Sequence, residues 1–190
     1  DILINNLFVL LPRLGEDADA DENMISYFDR VIEYLLEQKE VGNAVDLLKS
    51  LGDTMESMVL RDKQIFAIRR ILEKSSSPHH VELLGKAMEG NGEIQSEAIF
   101  QYLRLLTKQA IEPLCHLLGA VESGKWRRVI CDQVAALSQE EIQPLSKFLS
   151  NPNTFLVCHI LYILGKIGNP SAVKYLGNLV THEDLKVREE

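Results

Sequence analysis

The chain is short of cysteines and of long apolar runs, and each shortage excludes a class of protein. Its 190 residues include three cysteines and no Cys-x-x-Cys pair, which argues against a disulfide framework and predicts reduced thiols. No run approaches the ~20 apolar residues that span a bilayer. The 11 Gly and 6 Pro residues lie at spaced positions, which excludes collagen-like or low-complexity character. We therefore expect a globular, cytoplasmic protein without a membrane partner.

Basic residues are also scarce. Lys and Arg number 20 against 28 Asp and Glu, which gives a formal net charge of -8 and a pI near 5.2. Because affinity for nucleic acid depends on many Lys and Arg contacts, this balance argues against a nucleic-acid partner. The excess of acid lies in one half: residues 1–95 carry 18 acids and 10 bases, whereas residues 96–190 carry 10 of each.

The two ends of the sequence suggest a fragment. The apolar opening, residues 2–11, has neither the basic start nor the small-residue cleavage site of a signal peptide. The sequence begins without Met and stops within a predicted helix. We therefore expect it to be part of a longer protein.

A repeat of about thirty residues organises the chain. Five segments begin with a β-branched residue, place Leu three positions later and, with few exceptions, add apolar residues at positions six and seven. We call these positions anchors 0, 3, 6 and 7. They form one apolar stripe on a helix of 3.6 residues per turn, which we call helix B. The B segments begin at Val45, Val81, Ile111, Ile142 and Val173, separated by 36, 30, 31 and 31 positions.

A second amphipathic helix, helix A, is predicted before each helix B. In repeat four its apolar residues are Trp126, Ile130 and Val134. Turn-forming residues separate the helices, as at residues 75–78 and 168–170. Because one helix pair cannot bury both of its apolar stripes, neighbouring pairs must stack. The sequence therefore predicts an all-α fold, an α-solenoid of helix pairs.

One stretch carries a family resemblance. Residues 164–176 include Leu164-Gly165-Lys166-Ile167-Gly168-Asn169-Pro170, which resembles the HEAT-like repeat of the phycobilisome-lyase type, with Asn169 in place of the usual Asp. The closing residues 183–188 resemble the entry of that family's next helix A. The resemblance implies a right-handed superhelix whose B helices line the concave side. It does not imply lyase activity, because these repeats occur in many unrelated proteins.

These patterns divide the chain into three parts. We expect residues 1–23 to form an apolar segment and an acidic loop, and residues 24–181 to form about five HEAT-like helix pairs. Residues 182–190 would begin a further repeat.

Patterns that suggest a metal or an active site are incomplete. An EF-hand loop starting at Asp17 would need Gly and Glu where the chain has Glu22 and Phe28. The two adjacent Cys-His pairs lie in different repeats, and neighbours on a helix point about 100° apart. HEAT-like iron hydroxylases use several His-Glu pairs, whereas this chain has one, His182-Glu183. We therefore expect no metal, no cofactor and no catalytic residues.

The most basic stretch, residues 125–128, includes the single tryptophan. HEAT-like DNA glycosylases resemble this architecture and contact DNA through basic and aromatic side chains. However, Trp126 falls on the apolar stripe of its helix, so we favour packing against a neighbouring repeat.

Two rows of polar residues follow the B helices one and five positions after anchor 0, off the apolar stripe. They form either a self-compensated solvated face or a binding groove that is acidic at its N-terminal end and suits a partner with a basic segment. Tyr175 would supply an aromatic anchor. The candidate partner-binding residues are Asp46, Glu82, Lys86, Glu112, His116, Gln143, Lys147, Lys174, Tyr175 and Asn178.

We therefore predict a non-catalytic scaffold that binds a peptide or protein domain on the concave B-helix face. The alternatives are a chromophore-lyase-like or other enzyme role, with Cys115 as the candidate thiol, a structural spacer, and nucleic-acid binding.

Overall fold

The computed structural model describes residues 18–57, 60–89, 93–177 and 179–190. Within these ranges every regular element is helical, with no β-strand, and the all-α prediction is confirmed. The α-helices are α1 Ala18–Glu37, α2 Val41–Ser57, α3 Asp62–Lys74, α4 Pro78–Met88, α5 Glu93–Leu105, α6 Ile111–Ala120, α7 Gly124–Leu137, α8 Gln143–Ser146, α9 Thr154–Ile167, α10 Val173–Leu176 and α11 Leu185–Glu189. Short 3₁₀ turns occupy Lys108–Ala110, Lys147–Ser150 and Pro170–Ala172.

The N-terminal boundary differs from the prediction. Residues 18–23 form the start of α1 and not an acidic loop. Acidic side chains near a helix N-terminus are stabilised by the helix dipole, which favours a helix over this stretch. The apolar opening, residues 2–11, and the rest of the chain before Ala18 lie outside the described residues.

The chain forms two compact units, Asp1–Thr107 and Lys108–Glu190. In the N-terminal unit α1 packs against α2, α3 and α4, while α2 packs against α3 and α5. Its interior is apolar, and the side chains that are at most 1% exposed include Ile32, Leu36, Leu48, Ile68 and Leu84.

A buried corner between α3 and α4 stabilises the N-terminal unit. Ser75 and Ser76 are almost fully buried, and the Tyr102 hydroxyl of α5 donates a hydrogen bond of 3.1 Å to the Ser75 carbonyl. The backbone N–H of Thr107 donates to Ser76 Oγ at 2.9 Å. The serine-rich turn therefore has its polar groups satisfied by α5 and the residues after it, as buried polar groups require.

The C-terminal unit stacks helices of the same kind. Helix α7 packs against α9 and α9 against α11, all three being A helices of successive repeats, while α6 packs against α8, both B helices. A and B helices of different predicted repeats also pack together, as α6 does against α7 and α9. The apolar stripes of α6, α7 and α9 are thus buried against helices of other repeats.

The B helices of repeats four and five are shorter than their hydrophobic pattern predicts. In repeat four, α8 continues as a 3₁₀ turn over Lys147–Ser150. Pro152 disfavours the α conformation in Asn151, which ends the helix there. In repeat five, α10 stops before Gly177, a residue type with low helix propensity.

The segment Gly168-Asn169-Pro170 forms the corner after α9. Gly168 ends α9 with φ 66°, in the left-handed region that glycine adopts without strain. Asn169 Oδ1 then accepts hydrogen bonds from Ser171 N at 3.0 Å and Ser171 Oγ at 2.7 Å. Pro170 follows at the first position of the next turn, where its missing N–H costs nothing. Asn169 thus supplies the side-chain cap that an Asp would supply.

Candidate functional site

The candidate partner-binding positions of the N-terminal unit are exposed. Asp46 lies on α2, and Glu82 and Lys86 lie on α4. The Lys86 ammonium contacts the Glu82 carboxylate at 2.8 Å, the i,i+4 pair that their spacing predicts. The hydrogen bond and charge of Lys86 lower the pKa of Glu82, and those of Glu82 raise the pKa of Lys86. On α4 the charge of Glu82 is therefore balanced by that of Lys86. Asp46 adds a further negative charge on α2.

In the C-terminal unit the B helices are joined at two points. Lys147 forms an ion pair with Glu112 of the preceding B helix. The His116 ring contacts the Phe148 ring edge-on, with centroids 5.1 Å apart. Glu112 follows its anchor 0 by one position, and Lys147 follows its own anchor 0 by five. The ion pair therefore joins one polar row to the other across two neighbouring B helices.

Three of the remaining candidates lie on the B segments of repeats four and five. Gln143 and Lys174 are exposed, and Tyr175 is half-buried. The Lys174 ammonium lies 4.7 Å from the centroid of the Tyr175 ring, a cation–π contact. Asn178 lies outside the described residues. The structure thus brings Glu112, Lys147 and His116 together with Phe148 and leaves Gln143 and Lys174 facing solvent.

A pocket on the A helices of the C-terminal unit was not predicted. It has a volume of about 370 Å³ and lies between α7 and α9. The Arg127 guanidinium also contacts the Phe155 ring at 4.7 Å, and Phe155 contacts the His159 ring at 4.3 Å between centroids. The side chains that line the pocket include Arg127, Arg128, Cys131, Cys158, His159 and Tyr162.

A signal for this pocket is present in the sequence. Arg127 and Cys158 are 31 positions apart, as are Arg128 and His159, and 31 residues is the spacing between the B helices of repeats three, four and five. An alignment of the A helices of repeats four and five at this spacing places these residues at equivalent positions, side by side. The basic stretch at residues 125–128, taken alone, does not predict the pocket.

The cysteine thiols lack the features of nucleophiles. Burial raises the pKa of Cys115 to about 12 and that of Cys131 to about 11, and burial also raises the pKa of Cys158. A reactive cysteine needs a lowered pKa, because the thiolate is the nucleophile. Cys115, the candidate for a lyase-like reaction, is also 0% exposed. It therefore does not meet the requirements for that role.

The histidines are held by local contacts. His79 Nε2 lies 2.8 Å from Glu33 Oε1, and the buried His80 lies within hydrogen-bond distance of the Lys74 carbonyl at 2.9 Å. His182 lies in a loop, as predicted, where its Nδ1 accepts a hydrogen bond from the Asp184 N–H at 3.0 Å. Among the described residues, no group of three or more His, Cys, Asp or Glu side chains could hold a metal ion.

Trp126 is 5% exposed and packs inside the C-terminal unit, as its place on the apolar stripe predicts. The indole is therefore not available to stack on a base, so Trp126 cannot supply the aromatic contact that DNA binding by this stretch would need.

No helix in the described part of the chain has the length and apolar character to cross a membrane. Comparison of the chain with protein-family models, curated proteins and solved structures finds no match.

Proposed function

We propose that this chain is a non-catalytic, HEAT-like scaffold that holds a peptide or protein domain on the exposed face of its B helices. The single observation that carries the proposal is the division of the B helices of repeats one to four: their anchors are mostly buried, while the positions one and five residues after anchor 0 are exposed or half-buried. Stacked repeats with such a face create extended surfaces suited to a protein partner.

The packing of the C-terminal unit supports a solenoid. A helices pack on A helices and B helices on B helices across successive predicted repeats, and the corner at Gly168 and Asn169 is formed by the residues that carry the family resemblance. In that family the B helices line the concave side of a right-handed superhelix. We assign the same arrangement to this chain, with the B face as the binding face.

The charge distribution indicates the kind of partner. The N-terminal half carries the whole excess of acid, and Asp46 and Glu82 are exposed on its B helices. A basic segment of a partner would be attracted to this end, with an effect on association that salt weakens. In the C-terminal unit Lys174 and Tyr175 offer a cation and an aromatic ring.

The enzyme alternative makes a different prediction about the thiols. A lyase-like role would need a thiol that reacts in the native protein at neutral pH. We expect a thiol-specific reagent to modify Cys158 first and Cys115 only after unfolding, because Cys158 is partly exposed and Cys115 is buried. Fast modification of Cys115 in the folded protein would favour the enzyme alternative.

Affinity capture tests the binding face. The variant Asp46→Lys, Glu82→Lys, Glu112→Lys should lose a protein that the unchanged chain captures at about 50 mM salt, because its acidic row is reversed. The control Glu37→Lys, Glu122→Lys, Glu183→Lys makes the same charge change at exposed positions outside the B rows. Loss with the first variant alone would support the B face. Equal loss with both would indicate a non-specific charge effect and contradict the proposal.

A further inference from the structure

Two arginines that line the pocket between α7 and α9 form no ion pair with a carboxylate of the described residues. The Arg127 guanidinium lies over the Phe155 ring and donates through Nη2 to the Glu122 carbonyl. Its Nε is buried without a hydrogen-bond partner in the same part of the chain. Arg128 is exposed. The pocket therefore holds two guanidinium groups whose charges no bound carboxylate balances.

The acids near the pocket do not balance these charges. Asp132 of α7 forms an ion pair with Lys166, and its hydrogen bond raises the pKa of Lys166. Glu190 is the one acid among the described lining residues, and it follows α11. All the other lining residues belong to α7 and α9, which are described over their whole length. The walls of the pocket are thus complete helices of repeats four and five.

Helix α9 places three aromatic rings beside the arginines. Phe155, His159 and Tyr162 stand at i, i+4 and i+7, so they share one side of the helix. Phe155 and Tyr162 are 42% and 46% exposed. His159 Nδ1 donates to the Phe155 carbonyl at 2.8 Å, which holds this ring in place at the pocket. Aromatic walls with a few charged groups are typical of sites for small ligands.

The charges and donors of the pocket suit a phosphate group. A phosphate monoester carries a charge of about -1.5 to -2 near pH 7 and three acceptor oxygens. Each guanidinium presents N–H donors in a fork that matches two of these oxygens. A carboxylate has a single charge and would balance only one of the arginines. The volume of about 370 Å³ leaves room for the group that carries the phosphate.

We propose that the pocket between α7 and α9 binds a phosphate monoester attached to an aromatic ring. The phosphate group lies against Arg127 and Arg128, and the ring packs on Tyr162 and His159. A phosphorylated tyrosine side chain and a small aryl phosphate share this chemistry. The site lies on A helices and is separate from the B-helix residues of the proposed function.

Calorimetric titration of the chain with phenyl phosphate tests the ligand class. We expect saturable binding, with inorganic phosphate and benzoate each about tenfold weaker. Inorganic phosphate lacks the ring, and benzoate lacks the second charge and the third oxygen. Absence of saturable binding, or equal affinity for phenyl phosphate and either comparison ligand, would overturn the proposal.

Substitutions test the two arginines. Arg128→Gln should weaken phenyl phosphate binding about fivefold, because it removes charged donors to the phosphate. The matched control is Arg69→Gln, which removes an exposed arginine of α3 in the other unit and should bind as the unchanged chain does. Arg127→Lys keeps the charge and loses the fork, so we expect binding about threefold weaker. Equal binding by Arg128→Gln and Arg69→Gln would contradict the assignment.

Modification of Cys158 shows where the ligand binds. Cys158 lines the pocket and is partly exposed, whereas Cys115 and Cys131 are buried. Phenyl phosphate at saturating concentration should slow the reaction of Cys158 with iodoacetamide. The same concentration should protect Arg128→Gln less. An unchanged rate in the presence of bound phenyl phosphate would place the ligand elsewhere and overturn the proposal.

A peptide with one phosphotyrosine distinguishes the two sources of the ligand. Tighter binding of the peptide than of phenyl phosphate would assign the site to a phosphorylated protein, and weaker binding would assign it to a small aryl phosphate. The triple variant of Asp46, Glu82 and Glu112 should bind phenyl phosphate as the unchanged chain does. Failure of the B-face proposal is therefore separable from failure of this one.

Discussion

Lys147 forms an ion pair with Glu112 across two successive B helices of the C-terminal unit. The two residues are 35 positions apart in sequence and belong to two different rows of the predicted B face. Their side chains remain 64% and 46% exposed, so the pair lies at the surface and is screened by solvent. Its contribution to stability is therefore small.

A double-mutant cycle measures this pair. Glu112→Gln and Lys147→Gln should each change the free energy of unfolding by less than about 1 kcal/mol, with a coupling of about 0.2–1 kcal/mol that decreases as salt increases. Urea denaturation at two ionic strengths provides the measurement. A coupling several times larger would mean that solvent does not screen the pair.

The Tyr102 hydroxyl provides a stronger test of packing. Tyr102→Phe removes the donor to the Ser75 carbonyl and leaves that carbonyl unsatisfied in the core, at a cost of about 1–2 kcal/mol. Tyr34→Phe is the control, because Tyr34 is 59% exposed and should change stability by less than about 0.5 kcal/mol. Equal effects of the two substitutions would contradict the buried corner.

Two glycines of the repeat motif should respond in opposite directions. Gly168→Ala places a side chain at φ 66° and should destabilise the protein by about 1 kcal/mol. Gly165→Ala, within α9, meets nothing within 4 Å of the added Cβ and should stabilise by about 0.5–1 kcal/mol through helix propensity. Thermal unfolding of the two variants compares them. Destabilisation of similar size by both would contradict the left-handed cap at residue 168.

Buried thiols predict a loss of stability at alkaline pH. The pKa of Cys115 rises from 9.0 to about 12 on burial, so the folded state disfavours the thiolate. Its contribution to stability is fully present below pH 9 and is lost as the pH rises towards 12. Cys115→Ala should be less stable than the unchanged chain at neutral pH and should show a smaller loss between about pH 9 and 11. Urea midpoints across this range test the slope, and parallel curves would contradict it.

The sequence predicts the helices better than their ends. Anchors at Val45, Val81, Ile111 and Ile142 are buried, as predicted. Apolar residues that recur with the helical period of 3.6 residues indicate which face of a helix is buried. The 3₁₀ turn in repeat four and the early end of α10 in repeat five were not predicted, since they depend on local competition at Asn151 and Gly177. The start of α1 was also misplaced, because Asp residues suit both a loop and a first helical turn.

The site could be predicted only in part. Exposure of Asp46, Glu82 and Gln143 follows from their place off the stripe, and the pair between Glu82 and Lys86 follows from i,i+4 spacing. The contact between His116 and Phe148 could not be derived, because it depends on how two B helices are rotated and offset. The exposure of Val173 could not be derived either. Val173 occupies the same position of the repeat as the buried anchors, and only the packing around it differs.

The central claim is that a partner binds the B-helix face, and site-specific photo-crosslinking tests it most directly. A photoreactive amino acid would replace Asp46 or Gln143 on the B helices, and Glu122 or Lys166 at exposed positions outside that face. The account predicts that the same protein is crosslinked from both B-helix positions and from neither of the others. Crosslinking of that protein from Glu122 or Lys166, with none from Asp46 and Gln143, would contradict the account.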